Sequence, residues 1–328
     1  MTAALKKPPV HIGASAYVWL RGLALIAVIG IHVLSSWQWP LFTSSAGQLT
    51  AALIDQSFRW SVPFYILISG FGLSQKYGDK VPGMFEVLWT QFRKLLPAYL
   101  IASAGLYLAF LLVPSWHGFP PPNFLWQVLQ GGVDYHTYFV WLVAQLYLLF
   151  PVLAWIKKRV PAWLMLLIVL VWQIGWYAWL DTPLNSNLRW QFASDQQQYR
   201  WWFSWIWYFV LGMQLGPILE WLETKVWPKF GLPILSLLSY GLIVWLAFTA
   251  MQQRTDPLIA MRFTRVPVIL FASIFSTYLL WLARRWANIS RPFWLREMDI
   301  LGAWSYPLYL WHTLALRVLV LISQVILK

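Results

Sequence analysis

The chain has 328 residues, of which 60% are hydrophobic, 19% aromatic and only 11% charged. A soluble globular enzyme carries about 25% charged residues, so this balance excludes that class and predicts an all-α, polytopic transmembrane helix bundle. The formal net charge of +13 is spread over short connections, which points to membrane topology and not to a nucleic-acid surface.

Runs long enough to cross about 30 Å of hydrocarbon as helix fall at 17 to 38, 52 to 74, 95 to 113, 138 to 156, 163 to 180, 201 to 219, 232 to 250, 265 to 283 and 300 to 326. Nine spans are therefore predicted. The long 114 to 137 and 181 to 200 connections leave room for a tenth. With the amino terminus in the cytoplasm, fifteen Lys and Arg of the connections lie inside and seven outside, the asymmetry expected of short loops. The cluster of Arg254, Arg262 and Arg265 before the eighth run pulls the other way. Residues 1–16 are expected to form a cytoplasmic tail and 17–328 a single integral-membrane domain. No small-residue cleavage site at signal-peptide spacing precedes the first run, so that run is expected to stay. No internal repeat is visible, which speaks weakly against transporter folds built from duplicated halves.

The first run holds two ionisable groups, Arg21 and His32, eleven residues apart. At 100° per residue they share one helix face, about 16 Å apart along the axis. Ionisable groups at membrane depth face a protein interior or a wet cavity and commonly mark a pathway or a reaction centre. The competing structural reading is that Arg21 reaches to the interface while His32 satisfies a neighbouring backbone group.

The second run ends in Ser69, Gly70, Phe71 and Gly72, small residues that admit either a neighbouring helix or a ligand close to the backbone. Arg93 and Lys94, ahead of Pro97, stand at the start of the third run. Such cations bind phosphates, arginine through two parallel bonds and lysine as a point charge, though topology alone would also place them there. His136 precedes the fourth run and is expected near the outer surface, solvated. Within that run Trp141, Gln145 and Tyr147 supply aromatic and polar groups for a substrate or for a neighbouring helix. The sixth run opens with Trp201, Trp202, Trp205 and Trp207, an interfacial aromatic belt or a wall on which sugars stack. The last run carries Ser305, Tyr306, Tyr309 and a second intramembrane imidazole, His312.

The absence of cysteine removes disulfides, thiolate metal ligands and an acyl-cysteine intermediate. The five histidines, at 11, 32, 117, 136 and 312, lack metal-ligand spacing, so no metal is expected. Neither a serine elbow nor a phosphate-cradling glycine loop is present.

Taken in order, these pieces resemble the membrane acyltransferase family 3, bacterial enzymes that O-acylate cell-surface polysaccharides and related carriers. The resemblance rests on Arg21 and His32 with ten residues between them, on Phe64 to Gly70, on the aromatic fourth run ending at Pro151, and on the closing stretch from Leu301 to His312. It departs from many members before the third run, where two arginines three apart are replaced by Gln91, Arg93 and Lys94. The resemblance implies ten spans in the bacterial cytoplasmic membrane. It also implies acetyl-coenzyme A or another acyl-coenzyme A as donor, and a glycan or lipid-linked sugar as acceptor, with oligomerisation left open. His32 would deprotonate the acceptor hydroxyl, or carry the acyl group itself. Arg21, Arg93 and Lys94 would hold the donor, and Ser69, Trp141, Gln145, Tyr306, Tyr309 and His312 would bind substrate. A polysaccharide exporter and a non-catalytic scaffold of a glycan-synthesis complex are the rival readings. The nearly wholly apolar fifth and seventh runs speak against a wide polar channel.

Overall fold

The computed structural model describes residues 17–41, 44–116, 123–181, 197–253, 262–286 and 293–326, and among them it contains helices and no strand. Among the described residues, six helices are long and apolar enough to cross a membrane. They are Met84–Leu112 (α4), Tyr138–Lys157 (α6), Ala162–Asp181 (α7), Pro228–Gln253 (α11), Val266–Trp286 (α12) and Ser305–Ile326 (α14). The intervening helices are Val18–Leu41 (α1), Ser45–Ser57 (α2), Ser61–Tyr77 (α3), Phe124–Leu129 (α5), Gln197–Arg200 (α8), Ile206–Met213 (α9), Leu215–Glu223 (α10) and Phe293–Ala303 (α13).

Six of the nine predicted runs fall within single helices apart from a terminal residue, and three are interrupted, the 201 to 219 run being a bend and a 3-10 turn up to Trp205 before α-helix begins. The 52 to 74 run breaks at a turn between α2 and α3, the 201 to 219 run breaks at Gln214 between α9 and α10, and the 300 to 326 run breaks at Trp304 between α13 and α14. Apolar composition measures burial or lipid contact and is silent on whether a helix is continuous. Of the 114 to 137 connection, the described part holds a short 3-10 turn and the six-residue α5, with no further span. Most of the 181 to 200 connection lies outside the described residues.

Outward-facing side chains are apolar: Ile101, Leu108 and Leu112 on α4, Ile168 and Val171 on α7, and Leu237 and Leu238 on α11 are all exposed. That is the surface of a body whose solvent is lipid. The apolar window of α12 is 56% buried and that of α6 50%, against 28% for α4, α7 and α14, which puts α12 and α6 inside the bundle. The aromatic run at 201 to 208 also turns inward. Trp205 and Tyr208 are completely buried, so they form core and not an exposed belt. Helix α7 grips the turn between α8 and α9 through Ser204, whose carbonyl accepts from Gln173 at 2.8 Å and Tyr177 at 2.7 Å.

Without a hydrophobic drive between helices in lipid, association depends on close packing, and small residues allow it. Two crossings show this at the limit. A Cβ on Gly70 would lie 2.2 Å from the Phe209 carbonyl oxygen, and one on Gly212 would lie 2.0 Å from that of Leu67, so α3 and α9 meet backbone to backbone. A Cβ on Gly22 would lie 2.3 Å from the Met298 carbonyl oxygen, and one on Gly302 1.8 Å from that of Val18, which joins α1 to α13 in the same way. These crossings set the positions of Ser69 and Arg21, each the residue beside a contact glycine. Half-buried Lys157 ties the same region together, donating to Ser74 Oγ at 2.7 Å and the Met213 carbonyl at 2.6 Å.

Gly212→Ala should lower stability by about 1 to 3 kcal/mol, the usual cost of forcing volume into a packed contact, read as the melting temperature in detergent. Gly175→Ala, where an added Cβ meets nothing within 4 Å, should leave the melting temperature unchanged or raise it.

Candidate active site

Helices α1, α3, α4, α6 and α14 enclose a cavity of about 730 Å³. Its polar groups gather where Arg21 stands in the first turn of α1, Gln75 in the last turn of α3, and Gln91 and Lys94 in the early turns of α4. Beyond them the walls become aromatic and aliphatic, with Val28, Tyr65, Phe139, Tyr147 and Tyr309. Among the described residues no carboxylate pairs with Arg21, so its charge is available to the cavity. Its backbone is fixed by Tyr65, whose hydroxyl donates to the Arg21 carbonyl at 2.6 Å.

Arg21 and Val28 both line the cavity. They are seven residues apart, hence on one helix face, and His32 follows on that face one turn further. The His32 ring lies 5.0 Å from that of His312 and 5.1 Å from that of Tyr135, and the His312 ring lies 4.9 Å from that of His136. Three imidazoles from α1, α14 and the α5–α6 connection thus meet in one cluster. Tyr309 joins it to the cavity. That residue lines the cavity, meets the His136 ring edge-on at 5.5 Å and the tilted His312 ring at 5.7 Å, and donates its hydroxyl proton to the His136 carbonyl.

The cluster is anchored by a buried ion pair. Arg317 of α14 holds Asp134 through two parallel bonds of 2.6 and 2.9 Å, and Thr313 donates to the same carboxylate at 2.9 Å. The turn that presents Asp134 is built for the purpose: Gly131 takes a left-handed φ of 64° and the Thr137 hydroxyl donates to its carbonyl at 3.0 Å. His136 donates from Nε2 to the Leu310 carbonyl at 3.2 Å, and its Nδ1 faces the Asp134 carboxylate at 3.4 Å without a hydrogen bond. Burial by itself raises the Asp134 carboxyl, but the paired Arg317 guanidinium outweighs it and holds the group well below the usual carboxylate range. A depressed carboxylate stabilises the fold above its unfolded value and loses that contribution only as pH falls through the folded one. Asp134 is therefore ionised at every pH from mild acid upward.

Of the predicted site residues, Arg21, Ser69, Lys94, Tyr306 and Tyr309 line the cavity and His32 and His312 form the cluster at its far side. Ser69 spends its hydroxyl proton on the Tyr65 carbonyl at 2.8 Å and Tyr306 on that of Leu95 at 2.9 Å. Arg93 is exposed and is not part of the cavity wall. Gln145 donates to the Arg200 carbonyl at 2.7 Å and accepts from the Trp202 amide at 3.3 Å, so its amide bridges α6 to the turn before α9. Trp141 packs its Cβ side toward Gly131, outside the cavity. His136, expected to be solvated, is 2% exposed. The correction follows from Asp134 and Arg317, which lie 183 residues apart and give no sign of pairing in the sequence. Gln75 and Gln91 were likewise missed as cavity residues. Among the described residues, no group of three or more His, Cys, Asp or Glu is arranged to hold a metal ion.

Breaking a buried pair from one side strands the other charge, at about 3 to 5 kcal/mol. Asp134→Asn should therefore melt far below the wild type, while the double variant Asp134→Leu with Arg317→Leu, which buries no charge, should recover much of the loss. A double-mutant cycle on detergent-solubilised protein measures both.

Residues 16–325 match the family model of acyltransferase family 3, described as an acyltransferase domain. No curated protein and no solved structure matches the chain. The match spans nearly the whole chain and falls on the helices that build the cavity and the imidazole cluster. Together with six helices able to cross a bilayer, it makes this chain a multi-pass membrane protein that belongs to the membrane acyltransferase family 3.

Proposed function

We propose that the protein transfers an acyl group, acetyl in the first instance, from acyl-coenzyme A to a hydroxyl of a cell-surface glycan or a related lipid-linked carrier. The observation that carries this reading is the division of labour along α1: Arg21 in the polar part of the cavity and His32 in a buried imidazole cluster, about 16 Å apart on one face. A thioester donor with an anionic, phosphate-bearing head and a long arm fits a cavity that is cationic at one end and aromatic beyond.

With the amino terminus in the cytoplasm, the Arg21 end opens toward the compartment that supplies acyl-coenzyme A. Arg21 and Lys94 would meet the donor's negative charges, Gln75 and Gln91 would supply hydrogen bonds, and Arg93, exposed beside the mouth, would attract the donor from solution. His32 would lie toward the outer leaflet, where the glycan arrives. An alcohol is a poor nucleophile at neutral pH, and a neutral imidazole is suited to take its proton as the carbonyl is attacked. Ser69, Tyr306 and Tyr309 would shape the passage between the two ends.

Two variants test the assignment with purified protein, radiolabelled acetyl-coenzyme A and crude cell-envelope glycan. His32→Ala should abolish labelling of the glycan while the protein still inserts and elutes as a single species; full activity would remove His32 from the chemistry. Arg21→Lys keeps the charge but loses the two-pronged bond. It should raise the KM for acetyl-coenzyme A about 10-fold, the effect of one charge-assisted hydrogen bond, and an unchanged KM would take Arg21 out of the donor site.

A further inference from the structure

A base that takes a proton inside a membrane protein must pass it on or hold it against a large desolvation cost. The structure offers a partner. The Nδ1 of His312 is hydrogen-bonded to the Tyr309 carbonyl. A carbonyl only accepts, so Nδ1 carries the hydrogen and Nε2 presents a lone pair. That Nε2 is buried and has no hydrogen-bond partner among the described residues, although His312 is only 5% exposed. A buried acceptor left unpaired is costly and calls for a reason. The reason at hand is the imidazole of His32, whose ring centre is 5.0 Å away.

We propose that His312 acts through His32 as its proton-relay partner, the two imidazoles sharing the proton taken from the acceptor, with Asp134 as their fixed counter-charge. This rests on the reading of His32 as the general base. The acceptor O–H bond breaks and its proton goes to one ring nitrogen of His32, while the proton on the other ring nitrogen passes to His312 Nε2. The acceptor oxygen bonds to the thioester carbonyl carbon, the C–S bond breaks, and the sulfur leaves with the electron pair. The proton then returns from His312 through His32 to the thiolate, giving ester and free thiol with no proton gained or lost. Arg317 and Thr313 hold the carboxylate of Asp134 in place, on the side of the imidazolium that forms on His312. The titratable and charged groups facing the two rings are His136, Asp134 and Tyr135 from the α5–α6 connection, Tyr309 and Arg317 from α14, and Arg59 from the turn after α2. Among them Asp134 is the one carboxylate.

His312→Gln keeps a side-chain amide able to bond the Tyr309 carbonyl but cannot relay a proton. With radiolabelled acetyl-coenzyme A and cell-envelope glycan, kcat should fall about 100-fold, the low end for lost acid–base catalysis, with the KM for acetyl-coenzyme A unchanged. The dependence of rate on deuterium fraction should be curved for the wild type, where two protons move, and straight for the variant, where one does. In His312→Gly, added imidazole should restore activity. Wild-type rate in His312→Gln, or a loss that keeps the curved dependence, would overturn the relay. If His32→Ala is inactive while His312→Gln is unaffected, the relay alone fails. If His32→Ala is fully active, the underlying assignment of the base fails.

Discussion

The bidentate pair between Arg317 and Asp134 is the interaction on which the geometry of the site depends. A carboxylate inside a body solvated by lipid has no water to fall back on, so it must be neutralised by a partner in fixed geometry. Meeting that demand pins the middle of α14 to the turn before α6, two segments far apart in sequence. His312, five residues before Arg317, and His136, two after Asp134, are brought together by the same contact. His32 of α1 completes the cluster. The energetic cost of burying a charge is thus converted into the placement of three imidazoles, and a hydrophobic pairing of the same elements would lack the direction that two parallel hydrogen bonds impose.

The glycine crossings do the corresponding work at the other end of the cavity. By letting α1 rest on α13 and α3 on α9 with backbone in contact, they place Arg21 and Ser69 on the wall of one cavity. Tight contact between some helices leaves room between others. The imidazole cluster and the Arg21 end of the cavity are held by separate devices, one electrostatic and one steric, and can be perturbed separately. This independence is what makes the two ends of α1 distinguishable by mutation.

Much of this was legible in the chain itself. Apolar runs located the helices, and two ionisable residues on one face of the first run pointed to the two places where the structure has a polar cavity end and a buried imidazole cluster. Of the glycines after Ser69, Gly70 announced close packing that the structure shows, while Gly72 meets no neighbour. What the chain did not disclose was long-range pairing and helix continuity. Nothing local in Gly-Val-Asp134-Tyr-His136 signals that Arg317 will arrive from the last helix, so His136 read as an interfacial residue. Gln145 read as a contact either for a substrate or for a neighbouring element because an amide at membrane depth must bond to something, and sequence cannot tell a ligand from the backbone at Arg200 and Trp202. The breaks at Gln214 and Trp304 escaped notice because a hydropathy window averages over them.

The account as a whole turns on a donor reaching His32 from the Arg21 side and an acceptor reaching it from the other. The most direct measurement places the protein in sealed vesicles of known orientation, supplies radiolabelled acetyl-coenzyme A only at the Arg21 face and glycan only at the opposite face, and follows the label. The account predicts labelled glycan on the far side with the wild type and none with His32→Ala. Label appearing only when donor and acceptor share one face, or appearing without His32, would contradict it.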